Sequence, residues 1–143
     1  MIGGYVGICP WRVLSKDNSE NKICMEKVTL LQKFDLINEH WSPKIVGELN
    51  EQQVKLAKLK GEFIWHKHEN EDEAFFVMKG SFTMELRDKN IVLNEGDMLI
   101  VPKGVEHRPV ADEEVWVMLF EPATTLNTGD VADEKTKHQL ERI

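Results

Sequence analysis

From Lys44 onward the chain alternates apolar and polar residues in short runs, each closed by a turn signal. Residues 44–49 and 53–59 alternate or nearly so; Gly61 breaks the second run and residues 62–68 resume it. Residues 74–78 stop at Lys79-Gly80, residues 81–86 at Asp88-Lys89-Asn90, residues 91–93 at Asn94-Glu95-Gly96-Asp97, and residues 98–101 at Pro102-Lys103-Gly104. The last strong run, residues 115–120, ends at Glu121-Pro122. A period of two sends successive side chains to opposite faces of a strand. Many short strands between close turns predict an all-β fold, an antiparallel sandwich or barrel. His40-Trp41-Ser42-Pro43 reads as a turn, because proline drives its predecessor out of helical geometry. Residues 27–38 fit a short strand or a short helix. Residues 132–142 fit a polar helix or a disordered tail.

The run Val115-Trp-Val-Met-Leu-Phe120 is apolar on both parities. A sheet wetted on one side shows polar residues on one parity, so this strand is expected to be covered twice. The barrel interior supplies one cover and a second subunit is the simplest source of the other, which predicts a homodimer.

A chain of 143 residues suits one domain, and its 41% hydrophobic content can supply a core. The expected organisation is an N-terminal extension over residues 1–24, a single barrel over 25–130 and a polar tail over 131–143. The formal net charge of −7 argues against nucleic acid as a partner. No apolar run approaches the roughly twenty residues of a membrane span. Residues 1–14 are apolar but lack a basic start, a poor fit to a secretory signal. Cys9 and Cys24 lie away from the histidines and are weak evidence for a disulfide or a zinc site. A cytoplasmic setting is expected.

The chemistry concentrates between residues 66 and 107. His66 and His68, two apart on an extended segment, point the same way, so both imidazoles can reach one ion. A bare His-x-His reads equally as two surface histidines on an edge strand. Glu73 closes an acidic run but opens the apolar segment Ala74-Phe-Phe-Val-Met78, and so enters the core. A buried unpaired carboxylate is expensive, and a divalent cation compensates it. Glu71 and Asp72 are fallback ligands. His107 follows the turn Pro102-Lys103-Gly104, which returns the chain toward the sheet. His40 and His138 sit in turn and tail contexts and receive no ligand role. Three imidazoles and one carboxylate suit divalent Fe, Mn, Ni, Zn or Cu.

Gly61-Glu-Phe-Ile-Trp-His66-Lys-His68, then Glu73 and Gly80, resembles the first motif of the cupin superfamily; Gly96-Asp-Met-Leu-Ile-Val-Pro102-Lys-Gly104-Val-Glu-His107 resembles the second. The spacing from Gly61 to His66 is one residue short of the usual pattern, and Ala111 stands where the second motif often ends in Asn. The flanks are similar to small single-domain cupins related to mannose-6-phosphate isomerase. The resemblance implies a jelly-roll β-barrel, a double-stranded β-helix, with a metal held by His66, His68, Glu73 and His107 near its mouth. It also implies isomerase- or dioxygenase-type chemistry on a small oxygen-bearing molecule; the alternative is a non-catalytic module that binds a small molecule or metal. Apolar walls are expected from among Phe63, Trp65, Phe75, Phe82, Met84 and Met98. Glu106 and Lys58 are candidates for a general base, each also readable as a solvated charge. Trp41, Trp65 and Trp116 read as packing anchors. Residues 124–129 either lie over the barrel mouth or cap a sheet edge.

Overall fold

Seven strands follow one short helix in the computed structural model, which describes residues 25–143. The expected extension over 1–24, with Cys9 and Cys24, lies outside the described residues. Helix α1 spans Leu30–Phe34, which resolves the ambiguity of residues 27–38 in favour of a helix. The strands are β1 (Lys44–Leu49), β2 (Gln52–Glu62), β3 (Glu73–Lys79), β4 (Ser81–Leu86), β5 (Asn90–Asn94), β6 (Met98–Val101) and β7 (His107–Pro122). All pairings between them are antiparallel. The continuous order is β1-β2-β7-β3-β6, with β4 joined to β7 and β5.

β7 is the hinge of this arrangement. Its first residues pair with β4, from His107 opposite Leu86 to Val110 opposite Thr83. Its later residues pair with β2 and β3. Between these halves the register to β2 slips, from Leu59 opposite Val115 to Gly61 opposite Ala111. Gly61 has φ +81°, a conformation that costs an L side chain energy and costs glycine none. The glycine therefore resets the register, as its place in the sequence predicts.

The resumed strand expected over 62–68 does not form. β2 ends at Glu62, and the chain then meets β7 at separated points. Phe63 N–H donates to the Pro109 carbonyl at 3.0 Å, and His66 and His107 exchange both backbone bonds at 3.1 and 2.9 Å. Three residues advance on one side against two on the other, which no regular ladder accommodates.

Val115, Val117 and Leu119 face the barrel interior with Ala57, Leu59, Phe75, Val77, Phe82 and Met84. The opposite parity, Trp116 and Met118, packs with Phe34 and Ile37, Leu56 and the C-terminal Ile143. Part of the second cover over β7 is therefore the chain's own, from the helix, the turn after it and the chain end. Phe34 is fully buried and stacks on Trp116 with ring centroids 4.7 Å apart. Phe34→Ala should cost about 3–5 kcal/mol, read as a lower urea midpoint at unchanged m-value.

No helix forms over 132–142. Asn127 accepts from Lys137 N–H and donates to the Lys135 carbonyl, and Thr128 and Thr136 share a 2.7 Å hydrogen bond. The chain end then returns to β1, where Ile45 N–H donates to the Glu141 carbonyl and Ile143 N–H to the Ile45 carbonyl. Among the described residues, no helix is long and apolar enough to cross a membrane.

Candidate metal centre

His66, His68, Glu73 and His107 converge, all buried, with their ligand atoms within 4.8 Å of one another. Ligands on opposite sides of a transition-metal ion stand about 4.2 Å apart and neighbouring ones about 3 Å. The cluster thus needs only a small contraction to grip one ion. Different elements bring the four groups together. Glu73 opens β3 and His107 opens β7, while His66 and His68 ride on the irregular segment after β2. The turn at Gly104 fastens that segment, its N–H donating to the His68 carbonyl at 2.7 Å.

Two of the three imidazoles are oriented as ligands by backbone carbonyls. His66 Nδ1 lies 3.0 Å from the Ile64 carbonyl and His107 Nδ1 2.9 Å from that of Val105. A ring nitrogen that faces a carbonyl must carry a proton, so in the neutral ring the lone pair is on the other nitrogen, Nε2. Nε2 of His68 and of His107 each lie 3.3 Å from Glu73 Oε2. All three atoms are buried without hydrogen-bond geometry to anything. Such groups normally find partners, and one cation between them would satisfy all three. The residues present therefore fit a divalent metal.

The charges agree with this reading. Burial opposes ionisation of Glu73, but the contacts with His107 and His68 outweigh it and hold the carboxyl well below its usual range. For His107, burial disfavours the cation, yet the Glu73 contact prevails and its pKa lies above the ordinary value. His66 moves the other way, lowered to about 4 by burial first and then by the neighbouring His107. A metal must expel the proton that His107 retains. Metal affinity should therefore weaken as pH falls below the raised pKa of His107, by up to about tenfold per pH unit for one displaced proton. Calorimetric titrations in buffers of different ionisation enthalpy count that proton.

Beside the cluster lies a cavity lined by Trp41, Phe63, Phe75, Leu119, Glu121 and Asn127, with His66 and Glu73 on its wall. It encloses about 40 Å³, room for a few water-sized groups. A bound molecule would reach an ion here with one small, oxygen-bearing end.

Other expectations fare differently. Phe63 and Phe75 are wall residues, as expected. Phe82 and Met84 are core residues deeper in the barrel, Met98 is 54% exposed, and Trp65 lies under the Arg87 guanidinium at 3.8 Å. Trp41, read as a packing anchor, both stacks on Phe63 at 4.8 Å and lines the cavity. Glu71 accepts from the Thr124 hydroxyl and Asp72 from Lys103 N–H, so neither fallback ligand joins the cluster. Neither base candidate reaches it. Glu106 holds Arg87 through two 2.7 Å hydrogen bonds, and the Lys58 ammonium lies 5.2 Å from the centre of the Trp116 ring.

Three participants escaped the sequence. Lys55 and Glu121 form a 2.7 Å ion pair, exposed by only 1% and 2%. Glu121 follows the inward parity of Val115, Val117 and Leu119, and Lys55 that of Ala57 and Leu59, which is the signal that could have found them. Burial, then the charge of Glu73, pushes the Glu121 carboxyl well above its usual range against the pull of Lys55. The third is Gly129, in the loop over the mouth, whose φ is +55°. A Cβ there would stand 2.1 Å from the Lys67 carbonyl oxygen and 3.3 Å from the His66 ring. Next to it, Asp130 and Lys67 exchange two hydrogen bonds, at 3.0 and 3.1 Å.

Fold and site together define a β-barrel protein with a buried three-histidine, one-glutamate cluster suited to a divalent metal. Residues 53–121 match the model of the cupin domain family. A cupin-2 domain protein from Shewanella frigidimarina is 48% identical, with a TM-score of 0.66 over 66% of this chain and 93% of that one. Protein NMB1881 from Neisseria meningitidis is 32% identical, with a TM-score of 0.64 over 68% of this chain and all of that one. The chain belongs to the cupin family. Among curated proteins it is 41% identical to the uncharacterized YdbB of Bacillus subtilis, over 44% of this chain. It is 32% identical to an acireductone dioxygenase of Phaeosphaeria nodorum, over 68% of this chain. It spans 57% and 59% of those two relatives' lengths.

Proposed function

We propose that this cupin is a metal-dependent dioxygenase acting on a small enediol, the molecular class to which acireductones belong. One observation carries the reading: four buried donor groups, three of their atoms orphaned, beside a small cavity with apolar walls. The similarity to acireductone dioxygenases favours oxygen chemistry over the sugar-phosphate isomerisation that the sequence also allowed. A divalent ion, Fe(II) or Ni(II) among those the donors suit, would polarise the enediol oxygens at the positions that the four protein donors leave free.

The chain's own contributions are the following. Ile64 and Val105 fix the imidazole tautomers through their carbonyls. Glu73 supplies the one anionic ligand, so the loaded site carries about one net positive charge and attracts an ionised enediol. Trp41, Phe63 and Phe75 keep bulk water from the bound molecule. In the overall reaction O2 breaks the enediol carbon–carbon double bond and each carbon receives one oxygen atom, giving two carboxylic acids.

The test is oxygen uptake by Fe(II)-reconstituted protein with an acireductone, alongside aldose–ketose conversion of sugar phosphates without oxygen. Stoichiometric O2 consumption with two acid products supports the reading. Isomerisation in its place overturns it, and tight ligand binding with neither reaction points to the non-catalytic module. We propose in addition that two copies associate through the outer face of β6, where Met98 and Ile100 are each more than half exposed. Light scattering at micromolar concentration should then give twice 16.5 kDa, and a monomer mass rejects the pairing.

A further inference from the structure

The proposed chemistry leaves Lys55 and Glu121 without a task. Both are buried in the barrel, and each is costly to place there. The ammonium of Lys55 is held 2.7 Å from Glu121 Oε1, while Oε2 of the same carboxylate is buried with no donor against it, the group as a whole lying in contact with the Glu73 carboxylate. Glu121 and Glu73 line the same cavity. Ala74 faces Phe120 across β3 and β7, so continuing that register by one residue sets Glu73 beside Glu121. Directly opposed residues of an antiparallel pair bring their Cβ atoms to about 4.5–5.5 Å. An immobilised carboxylate oxygen thus waits next to the metal ligand, on the wall a bound molecule would touch.

We propose that Glu121, braced by Lys55, is a substrate-binding residue whose Oε2 pairs with a hydroxyl of the molecule bound at the metal. The inference rests on the metal reading above and narrows its substrate class. A six-coordinate ion with four protein ligands keeps two positions, enough for two adjacent oxygens of the substrate. The third partner, Glu121, then selects a molecule with three consecutive oxygens, two for the ion and one hydroxyl for the carboxylate. A hydroxyl satisfies Oε2 whichever of the two donates, whereas a hydrogen atom in its place leaves the buried oxygen orphaned. Sites built around such a hydrogen bond discriminate strongly against analogues that lack it.

Two stable probes, an enediol and its enol analogue, test this on the full chain loaded with Mn(II) under argon. Reductic acid carries a ketone and two hydroxyls on adjacent carbons; 2-hydroxycyclopent-2-enone keeps the chelating ketone and hydroxyl but lacks the third oxygen. Wild type should bind reductic acid about 10–100-fold more tightly than the deoxy analogue. Lys55→Met/Glu121→Leu removes both charges together, a replacement that buried ion pairs often tolerate. That double variant should keep Mn(II) affinity and lose the preference. Glu121→Gln, which leaves the chain closer to native shape, should shrink the preference several-fold.

Equal affinity of wild type for the two probes overturns the assignment and leaves the metal reading standing. So does a double variant that keeps the full preference. A variant that loses Mn(II) affinity but still prefers reductic acid shows instead that Glu121 merely steadies Glu73. Wild type that binds no Mn(II) at all overturns the metal reading, and the assignment with it.

Discussion

Glu73→Gln is expected to weaken metal binding by on the order of 100-fold or more, and to abolish any oxygen uptake. Even residues that only orient metal ligands change affinity by about 10–100-fold, and Glu73 is the one anionic donor of the cluster. The amide matches the carboxylate in shape, so the loss is electrostatic. The same substitution removes the partner that raises His107. In metal-free protein the His107 pKa, followed by NMR, should fall, since burial is then opposed by the Val105 carbonyl without the carboxylate. The stability change has a definite sign. A carboxyl held low in the folded state stabilises above its unfolded pKa, near 4.5, and this contribution disappears as pH falls through the folded value. Wild type should therefore lose more stability on acidification below pH 4.5 than the Gln variant does. Unchanged metal affinity in Glu73→Gln would remove Glu73 from the site.

Gly129→Ala should damage the centre without touching a ligand. Its Cβ would meet the Lys67 carbonyl oxygen at 2.1 Å, far inside van der Waals contact, and the obstacle is backbone that cannot swing aside. Either the mouth loop lifts or the His66–His68 segment moves. The left-handed backbone adds roughly 1–2 kcal/mol of its own. A fall in metal affinity of about 10–100-fold is expected, with the melting temperature lowered. Gly104→Ala is the control: its φ is +79°, but a Cβ there meets nothing within 4 Å. It should carry the conformational cost alone and bind metal nearly as wild type. Equal metal affinity in the two variants would refute the positioning role of Gly129.

The strands themselves were legible. Residues 44–49, 81–86 and 98–101 form β1, β4 and β6 with the bounds their patterns gave, because alternation and turn residues are local properties. The four candidate ligands could be picked out for a different reason: imidazoles and a core-bound carboxylate framed by glycine and proline turns are rare in combination, and the fold brings them together. Less could be read where long-range contacts decide. The segment after Glu62 leaves the ladder because three of its residues advance against two on β7. Part of the second cover of β7 comes from α1 and the turn after it, a short sequence that fitted strand or helix equally until Phe34 met Trp116.

Sequence alone determined a small all-β chain with four candidate metal donors in a cupin frame, since hydrophobic period, turn chemistry and donor type are carried residue by residue. Tertiary structure alone decided which charges matter. Among the acidic residues of the described segment, Glu121 is the one set beside Glu73 and bonded to a buried lysine, and it is there because β3 pairs with β7 in one register. A shift of one residue in that pairing would turn the side chain out of the barrel, and no local pattern records the register.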